Sequence, residues 1–363
     1  MAVSTIASTS QIRVLGRHVP SKEPLTLFYT ASGVECRFTG SELWLRLNAD
    51  YDQVEPWVSV ELNGSWISRF PVNKGESEVC LFRGMTPGTE KHIRVLKDVQ
   101  AMSDDPAHLL QITGLRYEDG EFLALPEPKY RLEFVGDSIT SGEGAIGAKQ
   151  EQDWIGAFFS AENHYARMTA DALGAEYRIL SQSGWGLVSG WDNNPNHVVM
   201  PHYPLVCGLA KGARNAVLGA GQVNDFESWQ ADAVIVNLGA NDCGAMHNPA
   251  WQDPVTGQVY QQTDTPQGHA VLEQAVVATL KSLRRYNPGA KLVWVFGMLG
   301  DEIRPILEGA VNRYRTETGD QDVFYLPLPA ATPETLGARE HPGAECHRQA
   351  AKVLTAFLQS ILK

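Results

Sequence analysis

From about residue 10 to residue 125, apolar and polar positions alternate with a period of two. The stretches GVECRFTGSELWLRLNA, WVSVELNGSWISRFPV and EKHIRVLKD show it most clearly, each bounded by Gly, Asn or Pro. Successive side chains on a strand face opposite ways, so this alternation predicts short, half-buried antiparallel strands and a β-sandwich of jelly-roll-like type. Within it, LNGSW predicts a tight hairpin turn, because Asn-Gly tolerates the positive φ angles such turns require.

The rhythm changes after LALPEPKY, whose two prolines make a stiff connector and place a domain boundary between residues 126 and 127. Beyond it, YRLEFVG, AEYRILSQSG, DAVIVNLGAND, KLVWVFGM and DVFYLPLP are continuous apolar runs of the kind buried on both faces of a parallel sheet. NHYARMTADALG, AVLEQAVVATLKSLRRYN, EIRPILEGAVNRYRTETG and HRQAAKVLTAFLQSILK have helical character and alternate with those runs. Strand and helix in alternation predict a doubly wound α/β domain over residues 127–363, preceded by the sandwich over residues 1–126.

In a doubly wound sheet, ligands bind at the carboxyl ends of the strands. Three of the five runs end in glycine-rich polar loops: Gly136-Asp137-Ser138, Ser183-Gly184-Trp185-Gly186 and Gly239-Ala240-Asn241-Asp242. All three are expected on one edge. The segment 191–227 is oversized for a simple connection and is expected to wall the substrate pocket.

Composition narrows the class of partner. The chain of 363 residues is 43% hydrophobic and 20% charged, which suits a folded protein. Its net charge of −12 argues against nucleic acid, whose binding depends on clustered Lys and Arg. The N-terminal MAVSTIASTSQIRVLGRHVP lacks the pattern of a secretory signal and no run is long enough to span a bilayer. A cytoplasmic location without membrane contact is the expectation. The five cysteines, Cys36, Cys80, Cys207, Cys243 and Cys346, have no C-x-x-C spacing and read as reduced thiols. His197 and His202 accompany no H-E-x-x-H motif, and neither a metal nor a cofactor is expected.

A serine hydroxyl becomes a useful nucleophile only when a base takes its proton. For Ser138 the candidate base is His341, which stands before the last helix and is biased to extended backbone by Pro342. Attack on an ester carbonyl places negative charge on oxygen. The Ser138 amide, the Gly184 amide and the Asn241 side chain are candidate donors for that oxyanion. Asp137 and Asp242 read as loop scaffold, and Trp185 as either a stacking surface for a sugar ring or core filler.

The blocks FVGDSIT, SGWG, GAND and HP, in this order, resemble those of the SGNH, or GDSL-type, hydrolases. With the preceding strand-rich half, the chain looks like the sandwich-plus-esterase architecture of carbohydrate esterase family 2, whose members deacetylate plant polysaccharides. The resemblance implies that Ser138 is the nucleophile, Gly184 and Asn241 are oxyanion donors, and His341 is the base, with an acetylated carbohydrate as substrate. SGNH enzymes commonly carry an Asp two or three residues before the histidine, where this chain has Arg339 and Ala338. Similarity to family 2 implies a Ser-His dyad with the imidazole oriented by a backbone carbonyl, with Glu340 and Glu345 as the acidic alternatives. Two other readings remain open: an esterase acting on a lipid or thioester, and a carbohydrate-binding protein with a degenerate esterase domain.

Overall fold

A computed structural model of the chain describes residues 2–362. It divides into two compact units. The N-terminal unit runs to Pro128 and takes in Trp154–Glu162 and Leu205–Asn224, while the rest of the chain forms the second. The expected boundary at 126/127 therefore falls two residues from the observed one, but two excursions back into the N-terminal unit are new.

The N-terminal unit contains two antiparallel sheets. One is ordered Ala2–Ser4, Leu109–Tyr117, Glu42–Asp50, Gly75–Arg83; the other Phe122–Leu123, Gly33–Phe38, Lys91–Lys97, Trp57–Leu62, Ser65–Pro71. Alternate side chains from both sheets, among them Val34, Leu45, Val58, Val60, Val95 and Ile112, form one buried cluster, as period-two patterning requires. Leu62 pairs with Ser65 across a two-residue turn in which Asn63 and Gly64 have φ of 52° and 80°.

The excursions are held by polar contacts. The carboxylate of Asp98, itself fully buried, accepts from the Ala161 amide (2.9 Å) and Ser59 Oγ (2.6 Å) and pairs with Arg69. Arg69 also donates to the Phe159 carbonyl at 2.8 Å. In the second excursion, Arg17 donates to the Leu205 carbonyl (2.8 Å) and Arg214 pairs with Asp50 (2.7 Å). This corrects the expectation that all of 191–227 walls a pocket in the catalytic half: residues 205–224 belong to the N-terminal unit. Charge pairing across so many intervening residues leaves no trace in local pattern.

The second unit is built on five parallel strands: β1 (Tyr130–Gly136), β2 (Ala175–Ser181), β3 (Ala233–Asn237), β4 (Lys291–Phe296) and β5 (Val323–Pro327). Their spatial order is β2-β1-β3-β4-β5, every pair parallel. The order reverses at β1, so the carboxyl end of that strand, beside β3, is the topological switch point where such sheets bind ligands.

Among the described residues, six α-helices accompany the sheet: α1 (Ser138–Ser141), α2 (Tyr165–Leu173), α3 (Ala240–His247), α4 (Pro266–Tyr286), α5 (Arg304–Thr318) and α6 (Ala344–Ile361). Helix α2 packs with α6 and α4 with α5. Thr265 caps α4 by accepting from the Gly268 amide (3.2 Å), and Pro266 occupies its first turn, where a missing N–H costs nothing. Helix α3 occupies residues expected as loop. Its ANDCGAMH has no apolar stripe to announce a helix.

Candidate active site

The nucleophile candidate stands at the switch point. Strand β1 ends at Gly136, Asp137 caps α1 by accepting from the Ile139 amide (3.1 Å), and Ser138 is the first residue of that helix. Glycine is required at 136, because a Cβ there would lie 2.0 Å from Thr140 Oγ1. The chain thus turns sharply from strand to helix and presents Ser138 at the sheet edge.

His341 reaches the same point from the other end of the sequence. Its Nε2 is 2.9 Å from Ser138 Oγ, and its Nδ1 is 2.7 Å from the Arg339 carbonyl oxygen. A carbonyl oxygen can only accept, so Nδ1 carries the proton and Nε2 offers its lone pair to the serine hydroxyl. The orienting group is therefore backbone. His341 itself is extended (φ −90°, ψ 161°), as Pro342 favours, whereas Arg339 and Glu340 are both left-handed, with φ of 57°.

That uncommon backbone for non-glycine residues is pinned on several sides. The Arg339 amide donates to the Glu151 carbonyl (2.8 Å), its guanidinium reaches the Gln152 carbonyl, and its Nε lies 2.8 Å from Glu143 Oε1. Glu143 was not singled out from sequence. Its side chain is only 3% exposed, its amide donates to the Ser138 carbonyl (3.0 Å), and Oε1 stands 3.9 Å from His341 Nε2. One residue so connects the helix of Ser138, the left-handed Arg339 and the imidazole. Of the acidic alternatives, Glu345 is turned to Arg348 and Gln349 on the surface of α6. Glu340 lies in the left-handed pair and not in the extended segment expected of it.

The three donor candidates come from separate segments, and the Asn241 side chain touches residues next to the other two. Among the described residues, neither the Ser138 nor the Gly184 amide donates to a protein acceptor. Gly184 has φ of +77°, and a Cβ there would lie 3.1 Å from Trp191 Cδ1, so both backbone and space call for glycine. Asn241, in the first turn of α3, has its Nδ2 2.9 Å from the Trp185 carbonyl and 3.4 Å from Asp137 Oδ2. The shorter bond sets the amide plane against the Gly184 loop.

Both neighbouring aspartates brace these loops. Asp242 accepts from the amides of Leu187 (2.9 Å) and Val188 (2.8 Å) and from Gln262 Nε2 (3.1 Å), joining α3 to the loop after β2. Burial pushes its carboxyl up, against those hydrogen bonds. Asp137 is pushed up to about 7, chiefly by burial, with the Ile139 amide working in the opposite direction and the Asp242 charge adding to the rise.

The stacking reading of Trp185 is corrected by its burial. It is 3% exposed, stacked on His197 at 5.2 Å and packed against His202 at 5.4 Å, which leaves no face for a sugar. The two histidines are thereby packing partners. The exposed indole is Trp191, at 54%, whose amide donates to the Gly184 carbonyl (3.0 Å) and whose carbonyl accepts from Asn248 Nδ2 (2.9 Å). Its position at the start of the long insert was the available signal.

A serine at a strand-helix turn with an imidazole nitrogen 2.9 Å from its hydroxyl is the arrangement that serine hydrolysis requires. Residues 134–349 match the GDSL-like Lipase/Acylhydrolase family, and the chain belongs to that family of carboxylic-ester hydrolases. More narrowly, its two-unit architecture is that of carbohydrate esterase family 2. An acetyl xylan esterase structure from Butyrivibrio proteoclasticus is 41% identical, with a TM-score of 0.97 over 99% of this chain and 98% of that one. Cellulase/esterase CelE of Acetivibrio thermocellus is 26% identical over 92% of this chain, which spans only 37% of that protein. An acetylxylan esterase / glucomannan deacetylase of Cellvibrio japonicus is 23% identical over 98% of this chain and 90% of its own length.

Proposed function

We propose that this chain removes O-acetyl groups from plant-type oligo- or polysaccharides, such as xylan or glucomannan, through an acetyl-enzyme. The observation that carries the reading is the paired contact of His341, Nε2 to Ser138 Oγ at 2.9 Å and Nδ1 to the Arg339 carbonyl at 2.7 Å. Ser138 Oγ attacks the acetyl carbonyl while Nε2 takes its proton, and the oxyanion is met by the Ser138 and Gly184 amides and Asn241 Nδ2. The imidazolium then protonates the departing sugar oxygen, and water repeats the sequence to release acetate.

The missing side-chain acid is replaced from two directions. The Arg339 carbonyl holds the tautomer, and the buried Glu143 carboxylate faces the positive charge that develops on His341. Trp191 offers an indole beside the oxyanion loop, suited to the apolar face of a sugar ring. The names carried by the relatives support acetylated xylan and glucomannan as the first substrates to try.

The test joins labelling to turnover. A fluorophosphonate should modify Ser138 and nothing in Ser138→Ala, and acetate release from acetylated xylan or glucomannan, followed by NMR, should disappear in the same variant. Absence of labelling would leave a carbohydrate-binding role. Labelling with turnover of thioesters or lipid esters but not of acetylated sugars would replace the substrate class.

A further inference from the structure

A cluster of metal-ligating side chains in the second unit lies outside the chemistry at Ser138. Cys243 and His247 are four residues apart on α3 and so share one face of that helix. Glu302, two residues ahead of α5, reaches both of them. Its Oε1 lies 2.9 Å from His247 Nε2 and its Oε2 3.5 Å from Cys243 Sγ, and one ligand atom from each residue falls within a common 4.8 Å.

A salt bridge between His247 and Glu302 would not need a thiol beside it. The spacing has a different sense as a coordination shell. A tetrahedral ion with bonds of about 2.0–2.3 Å holds its ligand atoms roughly 3.3–3.8 Å apart, so these three need only small rotamer adjustments to surround one. The set is mixed thiolate, imidazole and carboxylate, which favours a borderline ion over the hard cations that select oxygen alone. Cys243 is half-buried and the other two are exposed, which gives an ion access and leaves a fourth position to water.

We propose that Cys243, His247 and Glu302 bind one divalent transition-metal ion of the zinc class. Binding displaces the thiol proton to solvent, forms metal–sulfur, metal–nitrogen and metal–oxygen bonds, and changes no oxidation state. The ion ties α3, which carries Asn241 in its first turn, to the segment entering α5. Cys243 lies two residues beyond Asn241 on that helix, and the site stands independently of the esterase reading.

The test is titration of the full chain, stripped with chelator, with Co²⁺ as a spectroscopic stand-in. One equivalent should produce near-ultraviolet thiolate-to-cobalt absorption and the visible bands of a tetrahedral ion, both displaced by Zn²⁺. Cys243→Ser should lose the near-ultraviolet band. His247→Ala should weaken zinc binding by more than about 100-fold, since changes outside the coordination shell alone cost about 10–100-fold. All three side chains have solvent access, so the variants should keep the far-ultraviolet CD and melting temperature of the stripped parent. The assignment is overturned by any of three results: no thiolate band at one equivalent, a band that survives Cys243→Ser, or zinc affinity unchanged by His247→Ala.

Discussion

Replacing Glu143 by Gln isolates the electrostatic part of the dyad. The substitution keeps an oxygen able to accept from Arg339 Nε at its present 2.8 Å, so the left-handed turn at 339 retains its anchor. Only the negative charge 3.9 Å from His341 Nε2 is lost. For a full imidazolium at that distance, Coulomb's law with an effective dielectric near 20 gives about 4 kcal/mol. The Arg339 guanidinium, bound to the same carboxylate oxygen, offsets part of that field. A net effect of about 1.5–2 kcal/mol follows, or roughly 10–30-fold in rate.

The charge on His341 exists only once Ser138 has transferred its proton, so the loss should fall on kcat and leave KM within about twofold. Steady-state kinetics on a small acetyl ester would measure the split, with Glu143→Asp as a variant that keeps the charge at a shifted position. Glu143→Gln should unfold within about 1 kcal/mol of the parent, because its hydrogen bond survives. A kcat within twofold of the parent, or a defect entirely in KM, would refute the assignment and reduce Glu143 to a scaffold for Arg339.

Other expectations follow from the same geometry. Asn241→Ala should lower kcat by about 10²–10³ with little change in KM, the signature of a donor that acts on the oxyanion; a change confined to KM would contradict it. Trp191→Ala should raise KM for acetylated oligosaccharide while sparing turnover of a small aryl acetate, and equal losses on both substrates would deny the indole a sugar-binding role. In the N-terminal unit, Lys97 is fully buried, donates to the carbonyls of Phe28 (2.6 Å) and Gln100 (2.9 Å), and is pulled down by burial to about 7. Between that value and 10.5 the unfolded chain binds a proton that the folded chain does not, so the cost of burial is full below the window and fades as pH rises through it. Stability should therefore climb by up to about 1.4 kcal/mol per pH unit there, measured by urea unfolding. Lys97→Met should flatten that slope, and an unchanged slope would show that other groups carry it.

The features legible in the sequence are those with a period or a local motif. Alternation in WVSVELNGSWISRFPV gave away a sheet with one buried face, and the apolar runs ending in Gly136, Ser181 and Asn237 gave away parallel strands and the edge on which they open. Four short blocks singled out Ser138, Gly184, Asn241 and His341, of which Ser138 and His341 meet at 2.9 Å. The excursions at 154–162 and 205–224 were illegible because Asp98, Arg69, Arg17 and Arg214 recognise them through contacts that span most of a domain in sequence. Trp185 and Trp191 could not be ranked either: both sit near glycines, and only packing shows which indole is stacked on His197 and which meets solvent.

The missing acid shows the same limit at the centre of the site. A search for a triad looks for an aspartate side chain at a set distance before the histidine, and Arg339 in that position reads as a defect. The fold instead turns the chain left-handed through two consecutive non-glycine residues, and this turn aims a carbonyl oxygen at Nδ1. Every residue has such an oxygen, so its identity carries no information; its direction does. The turn is also bound by Glu143, which accepts from Arg339 Nε, lies 198 positions before His341 and follows Ser138 by five. The arginine that reads as the loss of an acid is the residue whose carbonyl meets Nδ1, and its guanidinium pairs with the buried Glu143, which brings a carboxylate within 3.9 Å of His341 Nε2.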